Sequence, residues 1–229
     1  MKPIASAGFS AAFFLFCMGY QAAAAPILSP APEVHVGDTW KYQSVDGFTK
    51  EVGAHFTHRV VEINDREIVI QLRNSNGVKS ALRYFNHEWN PIDVGETKYD
   101  PYYPEFKFPI STGMTWSEKF TSSTNDGGGN SGYVTAKVPS LEKVTVPAGT
   151  FDAYRIERDV EMRAANANAT VTKWQITTWY APAAKKFVRR ESVASRDGRV
   201  RSHTIDELTE YTLDSKTIPA PLSVDDGAR

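Results

Sequence analysis

The sequence predicts an all-β protein: a curved, hairpin-rich antiparallel sheet that is either barrel-like or two-layered, with little or no helix. Three observations support this fold class. Turn dipeptides recur between β-rich runs, and the runs alternate apolar and polar residues with a period of two. After the first 24 residues, no apolar stripe at helical spacing is long enough for a helix of three turns.

The turn dipeptides are the clearest local signals in the chain. Asp46-Gly47, Asn76-Gly77 and Asp197-Gly198 each separate two β-rich runs, and Asn64-Asp65 is a weaker example. Asn or Asp followed by Gly accepts the positive φ angles of tight hairpin turns. A hairpin is therefore predicted at each of these positions.

The runs between these turns have the alternation of half-buried strands. In residues 67–73 almost every second residue is apolar, which predicts one buried and one solvated face. Residues 54–63 alternate less well, because Phe56 and Val60 share one face while Val61 and Ile63 lie on the other. A β-bulge near Val60 would restore the alternation.

The most distinctive stretch is VTVPAGTFDAYRIERDVEM, residues 144–162. Pro147 ends one strand and Gly149 permits the turn that follows. From Tyr154 the apolar residues alternate with charged ones, and only Arg158 interrupts the apolar face. The stem of Arg158 is expected to lie along the edge of the core while its guanidinium group reaches water.

Residues 86–109 differ in composition from the rest of the chain. Four prolines prevent long strands, and five Tyr and Phe residues fall within residues 99–108. One interpretation is an aromatic platform over the mouth of a cavity. The other is a long connection whose rings pack on the edge of the sheet.

The start of the chain has the features of a Sec-type signal peptide, with cleavage expected after Ala24. A short apolar run is followed by small residues, which include Ala22 and Ala24. Cys17, the only cysteine, follows Phe16, where a lipoprotein signal needs a small residue, so lipidation is not expected. The cleaved chain would have no thiol and would be periplasmic or secreted.

This pattern predicts four segments: a signal peptide at 1–24, an extended lead-in at 25–35, a single β-rich domain at 36–213 and a disordered tail at 214–229. A four-residue echo between Gly37-Asp-Thr-Trp40 and Gly113-Met-Thr-Trp116 leaves an alternative open. In that alternative, the domain consists of two similar β-layers at 36–95 and 110–213.

Composition and motifs disfavour several function classes. The net charge is −1 and no basic stripe occurs, so nucleic acid is not an expected partner. No segment after the signal peptide has transmembrane length. Gly-x-Ser-x-Gly and His-Glu-x-x-His motifs are absent from the sequence, and His55 and His58 would point to opposite faces of a strand. No catalytic residue, metal site or cofactor is therefore predicted.

The favoured function is the binding of a small apolar or amphipathic ligand or of an envelope component. A structural or assembly role beside an envelope protein is the alternative, and a hydrolase is the third hypothesis. Curved sheets without covering helices often enclose a groove. Aromatic side chains are the candidate lining, although they would equally form the core between two sheets. They are Tyr154, Trp174, Trp179, Tyr180 and Phe187, together with Tyr102 and Tyr103.

Four phrases carry a family resemblance. They are FPISTGMTW at residues 108–116, VTVPAGTFDAYRI at 144–156, TTWYAP at 177–182 and FVRRE at 187–191. This set, within about residues 106–193, resembles exported bacterial proteins of uncharacterised families of the DUF3108-like kind. The resemblance implies a β-rich envelope protein with a curved sheet, and it brings no catalytic residues.

Overall fold

The computed structural model describes residues 28–74, 80–165 and 171–214. Within these residues the chain is all-β, with one turn of 3-10 helix at Pro182–Ala184 and no α-helix. The strands are β1 (Thr39–Asp46), β2 (Val52–Ile63), β3 (Ile68–Asn74), β4 (Ser80–Phe85), β5 (Pro91–Asp93), β6 (Thr97–Asp100), β7 (Thr115–Thr124), β8 (Gly129–Val146), β9 (Gly149–Ala164), β10 (Val171–Ala181), β11 (Lys186–Arg196) and β12 (Arg199–Thr212).

The strands form one closed antiparallel barrel. Each strand pairs with its neighbours in sequence, and β12 returns to pair with β1 along the full length of β1. The predicted fold class is confirmed, and of the two predicted arrangements the barrel-like one is found. Asp38 supports the seam where β1 meets β12: its Oδ1 accepts a hydrogen bond of 2.7 Å from the backbone N–H of Asp214.

The predicted turns join consecutive strands. Asp46-Gly47 lies between β1 and β2, and Asn64-Asp65 lies between β2 and β3. Asp197-Gly198 joins β11 to β12 with φ angles of 52° and 70°, as a tight hairpin turn requires. Asn76-Gly77 lies outside the described residues, as do the signal peptide and all but the first residue of the predicted tail.

The predicted irregularity in β2 is confirmed. Val60 pairs with Ile70 and Glu62 pairs with Val69, so Val61 is an extra residue between the two pairs. Val61 is exposed while Val60 is fully buried. The bulge therefore lets one strand keep its apolar residues inside the barrel although the sequence does not alternate strictly.

The stretch at residues 144–162 forms the end of β8, a turn and most of β9. Gly149 has a φ angle of +131°, which favours glycine. Tyr154, Ile156 and Val160 are buried inside the barrel as predicted. The expectation that the guanidinium group of Arg158 reaches water is wrong. Its side chain is 1% exposed and lies 3.6 Å from the carboxylate of Glu105, because an acidic partner inside the barrel compensates its burial.

The two ends of the barrel differ. At one end, which we call the hairpin end, short turns join β1 to β2 and β11 to β12. At the other end, here the floor, the lead-in at residues 28–38 and the connection 101–114 cross the opening. Ser29 and Ile110 exchange two backbone hydrogen bonds of 2.8 Å there. The lead-in and the connection 101–114 therefore cover the floor of the barrel together.

One interpretation of the sequence expected the rings of the connection 101–114 to pack on the edge of the sheet. The structure differs from that expectation, because part of the connection lies inside the barrel. Glu105 and Phe106 are only 5% and 4% exposed, and they contact groups on the inner surface of the barrel. Asn90 causes this placement. Its Oδ1 accepts hydrogen bonds from the backbone N–H groups of Glu105 and Phe106, and its Nδ2 donates to the carbonyl of Phe106.

Candidate functional site

A cavity of about 400 Å³ lies inside the barrel. Its lining runs from Lys186 and Trp89 at the floor to Asn74 and Val94, which lie toward the hairpin end. The volume falls in the range of about 300–1,000 Å³ that is typical of small-molecule sites. Strands β2, β3, β4, β5, β11 and β12 contribute to its wall, so the cavity occupies the side of the barrel built by the first part and the end of the chain.

Much of the wall is apolar. Phe56, Leu72 and Phe187 lie on three different strands of the wall, and each contributes its side chain to the lining. Tyr42 fixes two of these rings from behind: it stacks on Phe56 and Phe187 with ring centroids 5.1 and 4.6 Å away. Its hydroxyl also donates to the carbonyl of Phe187 at 2.8 Å. The remaining apolar lining residues are Phe85, Trp89, Pro91, Val94 and Phe106.

Lys186 is a buried cation at the floor of the cavity. It is 4% exposed, and its Nζ lies 3.3 Å from the ring centroid of Trp89. The rings of Trp40 and Phe85 lie 5.0 and 5.3 Å from the same atom. Within the described residues, no carboxylate lies within ion-pair distance of Lys186. Aromatic faces therefore provide the contacts that a carboxylate usually provides to a buried ammonium group.

Two tryptophans set the position of Lys186. The indole of Trp40 donates a hydrogen bond of 2.7 Å to the carbonyl of Ala184, and the indole of Trp89 donates one of 2.9 Å to the carbonyl of Lys185. Lys185 has a left-handed φ angle of 56°. The two indole hydrogen bonds thus attach the turn from β10 to β11 to the tryptophans whose rings surround Lys186.

A second group of charges centres on Glu105. Its carboxylate forms an ion pair with Arg190 and lies 3.6 Å from Arg158. Arg190 also lies over the ring of Phe187, with 4.1 Å from its guanidinium carbon to the ring centroid. Its Nε is buried and has no hydrogen-bond partner among the described residues. Glu105 therefore balances part, and not all, of the positive charge in the barrel.

His58 lies within the field of the cationic groups. Burial is the main cause that holds the pKa of His58 well below its usual value, and the charges of Lys186, Arg190 and Arg83 act in the same direction. Its Nδ1 is buried and lacks a hydrogen-bond partner among the described residues. All three cations line the cavity with it, so their electrostatic fields overlap at one place in the lining.

Asp206 completes the charged lining. Burial raises the pKa of its carboxyl group, while the charge of Arg190 and a hydrogen bond from the side chain of Ser44 act in the opposite direction. The burial of Lys186 lowers the pKa of its ammonium group well below the usual value, and the charge of Glu105 opposes that shift. The cavity thus combines an apolar wall with three basic side chains and two carboxyl groups, those of Glu105 and Asp206.

The sequence-predicted aromatic residues lie elsewhere in the barrel. Tyr154 and Tyr180 are 2% and 1% exposed and belong to the core. Tyr103 and Trp174 are partly buried and pack against that core. None of the six residues of this prediction lines the 400 Å³ cavity.

The remaining two predicted residues bind glutamates. The hydroxyl of Tyr102 donates to Glu118 at 3.2 Å, and the indole of Trp179 donates to Glu142 at 2.7 Å. A role for any of the six as a ligand contact stays a prediction. Phe187, which was grouped with them, is the one aromatic of that set in the cavity wall.

Sequence reasoning did not identify Lys186 and Arg190 as cavity residues. In the pairing of β10 with β11, Tyr180 lies opposite Phe187 and Trp179 lies opposite Arg189, so Val188 is an extra residue. The irregularity breaks the alternation from which an inward face is predicted. The available signal was that basic residues stand on both sides of the apolar pair Phe187-Val188.

The described residues provide little support for other site types. They contain no group of His, Cys, Asp or Glu side chains that could hold a metal ion. Among them there is also no helix long and apolar enough to cross a membrane. His55 is exposed on β2 and His58 faces the cavity, so the two histidines do not form a common site.

Comparisons with known proteins support the family resemblance and the fold. The model of the family described as DUF3108-like matches residues 116–205, which confirms the predicted resemblance. That range includes Lys186 and Arg190 but not Arg83, Glu105 or His58. A comparison with curated proteins found no match.

Solved structures from three bacteria are similar to this chain. A candidate lipoprotein from Parabacteroides distasonis ATCC 8503 has a TM-score of 0.52 and 13% identity, over 80% of this chain and 99% of that chain. A candidate exported protein with a YmcC-like fold from Bacteroides fragilis NCTC 9343 has a TM-score of 0.49 and 14% identity, over 80% and 99%. The hypothetical lipoprotein YmcC from Escherichia coli K12 has a TM-score of 0.44 and 10% identity, over 76% and 84%. At these identities, the first likeness supports the fold alone.

Proposed function

We propose that this protein is an exported binding protein of the bacterial cell envelope that holds one small amphipathic molecule inside its barrel. The observation that carries the proposal is the cavity of about 400 Å³, whose wall is apolar on several strands and charged at a few defined positions. Ligand sites typically have this composition: mostly apolar lining and a few polar groups that fix orientation.

Three features support an envelope location. The apolar run and small residues at 1–24 match a cleavable export signal. The DUF3108-like match agrees with the exported bacterial proteins that the motifs resemble. The Parabacteroides distasonis protein with a similar fold is described as a candidate lipoprotein. For this chain we propose export without a lipid anchor, because Phe16 precedes Cys17.

The proposal does not need an enzymatic step. The buried charges of the cavity are largely placed by hydrogen bonds and rings, as a rigid binding site requires, and no nucleophile adjacent to a base has been identified among the lining residues. Binding uses the cavity as it stands, since burial of apolar ligand surface contributes about 25 cal/mol per Å².

The test is to fill the cavity. Leu72→Trp places an indole in the cavity wall on β3, away from the strand that carries Lys186, and the free volume gives the ring room. The neutral dye Nile red, whose fluorescence rises in apolar surroundings, is titrated into the purified protein. We expect one dye per chain for the native sequence and an affinity at least about tenfold lower for the variant.

Leu82→Trp is the matched control. Leu82 is 46% exposed and lies on β4, the strand that pairs with β3, so the same substitution adds an indole outside the barrel. This variant should bind Nile red like the native protein. Equal binding by all three proteins, or no binding by the native one, would contradict the proposed function.

A further inference from the structure

Several donors in the cavity lining have no acceptor among the described residues. Lys186 carries three N–H donors, and no hydrogen bond from its Nζ to another described residue is formed. The Nε atoms of Arg83 and Arg190 are buried and are likewise without a hydrogen-bond partner among the described residues. Buried donors without acceptors are costly, commonly by about 1–3 kcal/mol each. A ligand with acceptor oxygens would satisfy them.

The charges have the same imbalance. Arg83, Lys186 and Arg190 line the cavity, against two carboxyl groups, Glu105 and Asp206. Glu105 is engaged by Arg190 and also lies near Arg158, a buried cation on β9 that is not part of the lining. Lys186 receives only ring faces at short distance. The lining thus carries three basic side chains against two carboxyl groups, and Lys186 forms no ion pair with a described residue.

The apolar surface extends from this charged floor. Phe85 and Trp89 surround Lys186, and Phe56, Leu72 and Val94 continue the wall toward the hairpin end. A molecule that complements both parts has an anionic group at one end and an apolar chain at the other. A single negative charge matches the excess of one, whereas a doubly charged group would exceed it.

From these contacts we infer that the ligand of the cavity is an amphipathic monocarboxylate, with its carboxylate on Lys186 and its apolar chain along Phe56 and Leu72. This inference rests on the proposed function and deepens it by naming the ligand class. A carboxylate at Lys186 replaces the water that the ammonium group loses on burial, and charge-assisted hydrogen bonds of this type are stronger than neutral ones.

The pKa shifts of Lys186 and His58 support the same arrangement. Burial lowers the pKa of the Lys186 ammonium group, and the charge of Glu105 only partly opposes that shift. The positive charges around His58 also lower the pKa of its imidazole. A carboxylate placed among these groups opposes both effects, and the anion and the cations therefore stabilise each other.

The experiment compares two ligands that differ only in their head group. Decanoate and decanol are titrated into the native protein by calorimetry. We expect decanoate to bind about 10- to 100-fold more tightly than decanol, since hydrogen bonds to a charged group are worth about that factor. Decyl phosphate is the third ligand and should bind more weakly than decanoate.

Lys186→Met locates the effect. Methionine keeps the unbranched apolar stem and removes the charge, so we expect decanoate to lose its advantage while the affinity for decanol is retained. Lys173→Met is the matched control, because the side chain of Lys173 is 62% exposed and pairs with Glu161. This control should keep the full preference. If Lys186→Met does not fold, the comparison of the three ligands in the native protein decides alone.

The outcomes separate the inference from the proposed function. Equal affinities of the native protein for decanoate and decanol would overturn the carboxylate assignment and leave the amphipathic site intact. Tighter binding of decyl phosphate than of decanoate would overturn it in favour of a phosphate. Binding of none of the three ligands would contradict the inference and the proposed function together.

Discussion

Individual residues inside this barrel carry charges that a strand pattern does not reveal. Arg158 interrupts an apolar face, and the sequence predicted a guanidinium group in water with its stem along the edge of the core. The partner is Glu105, which precedes Arg158 by 53 residues in the chain. Asn90 holds Glu105 inside the barrel through a hydrogen bond to its backbone N–H. Contacts of this kind depend on the path of a connection across the floor, so periodicity alone cannot predict them.

His58 leads to a pH prediction at the residue scale. Its pKa is lower in the folded chain than in an unfolded one, so the unfolded chain binds more protons. Stability is therefore complete above the pKa of an unfolded histidine and decreases as the pH falls below it. One such group changes the free energy of unfolding by at most about 1.4 kcal/mol per pH unit.

His58→Phe keeps a ring against Tyr42 and Phe56 and removes the titrating group. Denaturant unfolding at pH values from 7 down to 5 should give a shallower decrease for this variant than for the native protein. Asp206 titrates with the opposite sign, but it is present in both proteins and cancels in the difference. His87→Gln, at an exposed position, should follow the native curve. Parallel curves for His58→Phe and the native protein would contradict this assignment.

Among the elements, hairpins and half-buried strands are predictable here, and the register irregularities are only partly so. The bulge at Val61 is visible in the sequence because apolar residues change face within β2. The one at Val188 is not visible, because Phe187 and Val188 are both apolar and either could point inward. That ambiguity explains why Lys186 and Arg190 were missed while the strands that carry them were predicted.

The turn between β10 and β11 provides a prediction at the element scale. Trp89→Phe keeps a ring near Lys186 but removes the indole hydrogen bond to the carbonyl of Lys185. We expect a loss of about 1 kcal/mol in the free energy of unfolding and faster amide hydrogen exchange at residues 184–186. Trp179→Phe removes an indole bond to Glu142 on a different part of the barrel and serves as the control. Unchanged exchange at 184–186 in Trp89→Phe would show that the indole does not hold this turn.

At the scale of the whole molecule, closure of the barrel joins the first and last strands. β1 pairs with both β2 and β12, so the two halves of the chain share one continuous ladder of hydrogen bonds. We expect residues 36–213 to unfold in one cooperative transition, as most compact domains do. Near-UV and far-UV circular dichroism should then give coincident thermal curves. Two separated transitions would favour two β-layers at 36–95 and 110–213.

The fold class could be predicted from local patterns because each strand and turn has its own signal. The site could not, since its lining comes from six strands and three connections that are distant in sequence. The aromatic residues chosen from the sequence are mostly core or partly buried residues in another part of the barrel. Aromatic side chains were correctly expected to be buried. Burial alone does not tell whether a side chain lines a ligand cavity or belongs to the hydrophobic core.

Native mass spectrometry of the protein purified from its own cell envelope tests the binding function most directly. The account predicts one small amphipathic molecule per chain in the native protein, retained by Leu82→Trp and absent from Leu72→Trp, whose added indole occupies the cavity. A ligand-free native chain, or a stoichiometric protein partner without any small molecule, would contradict it.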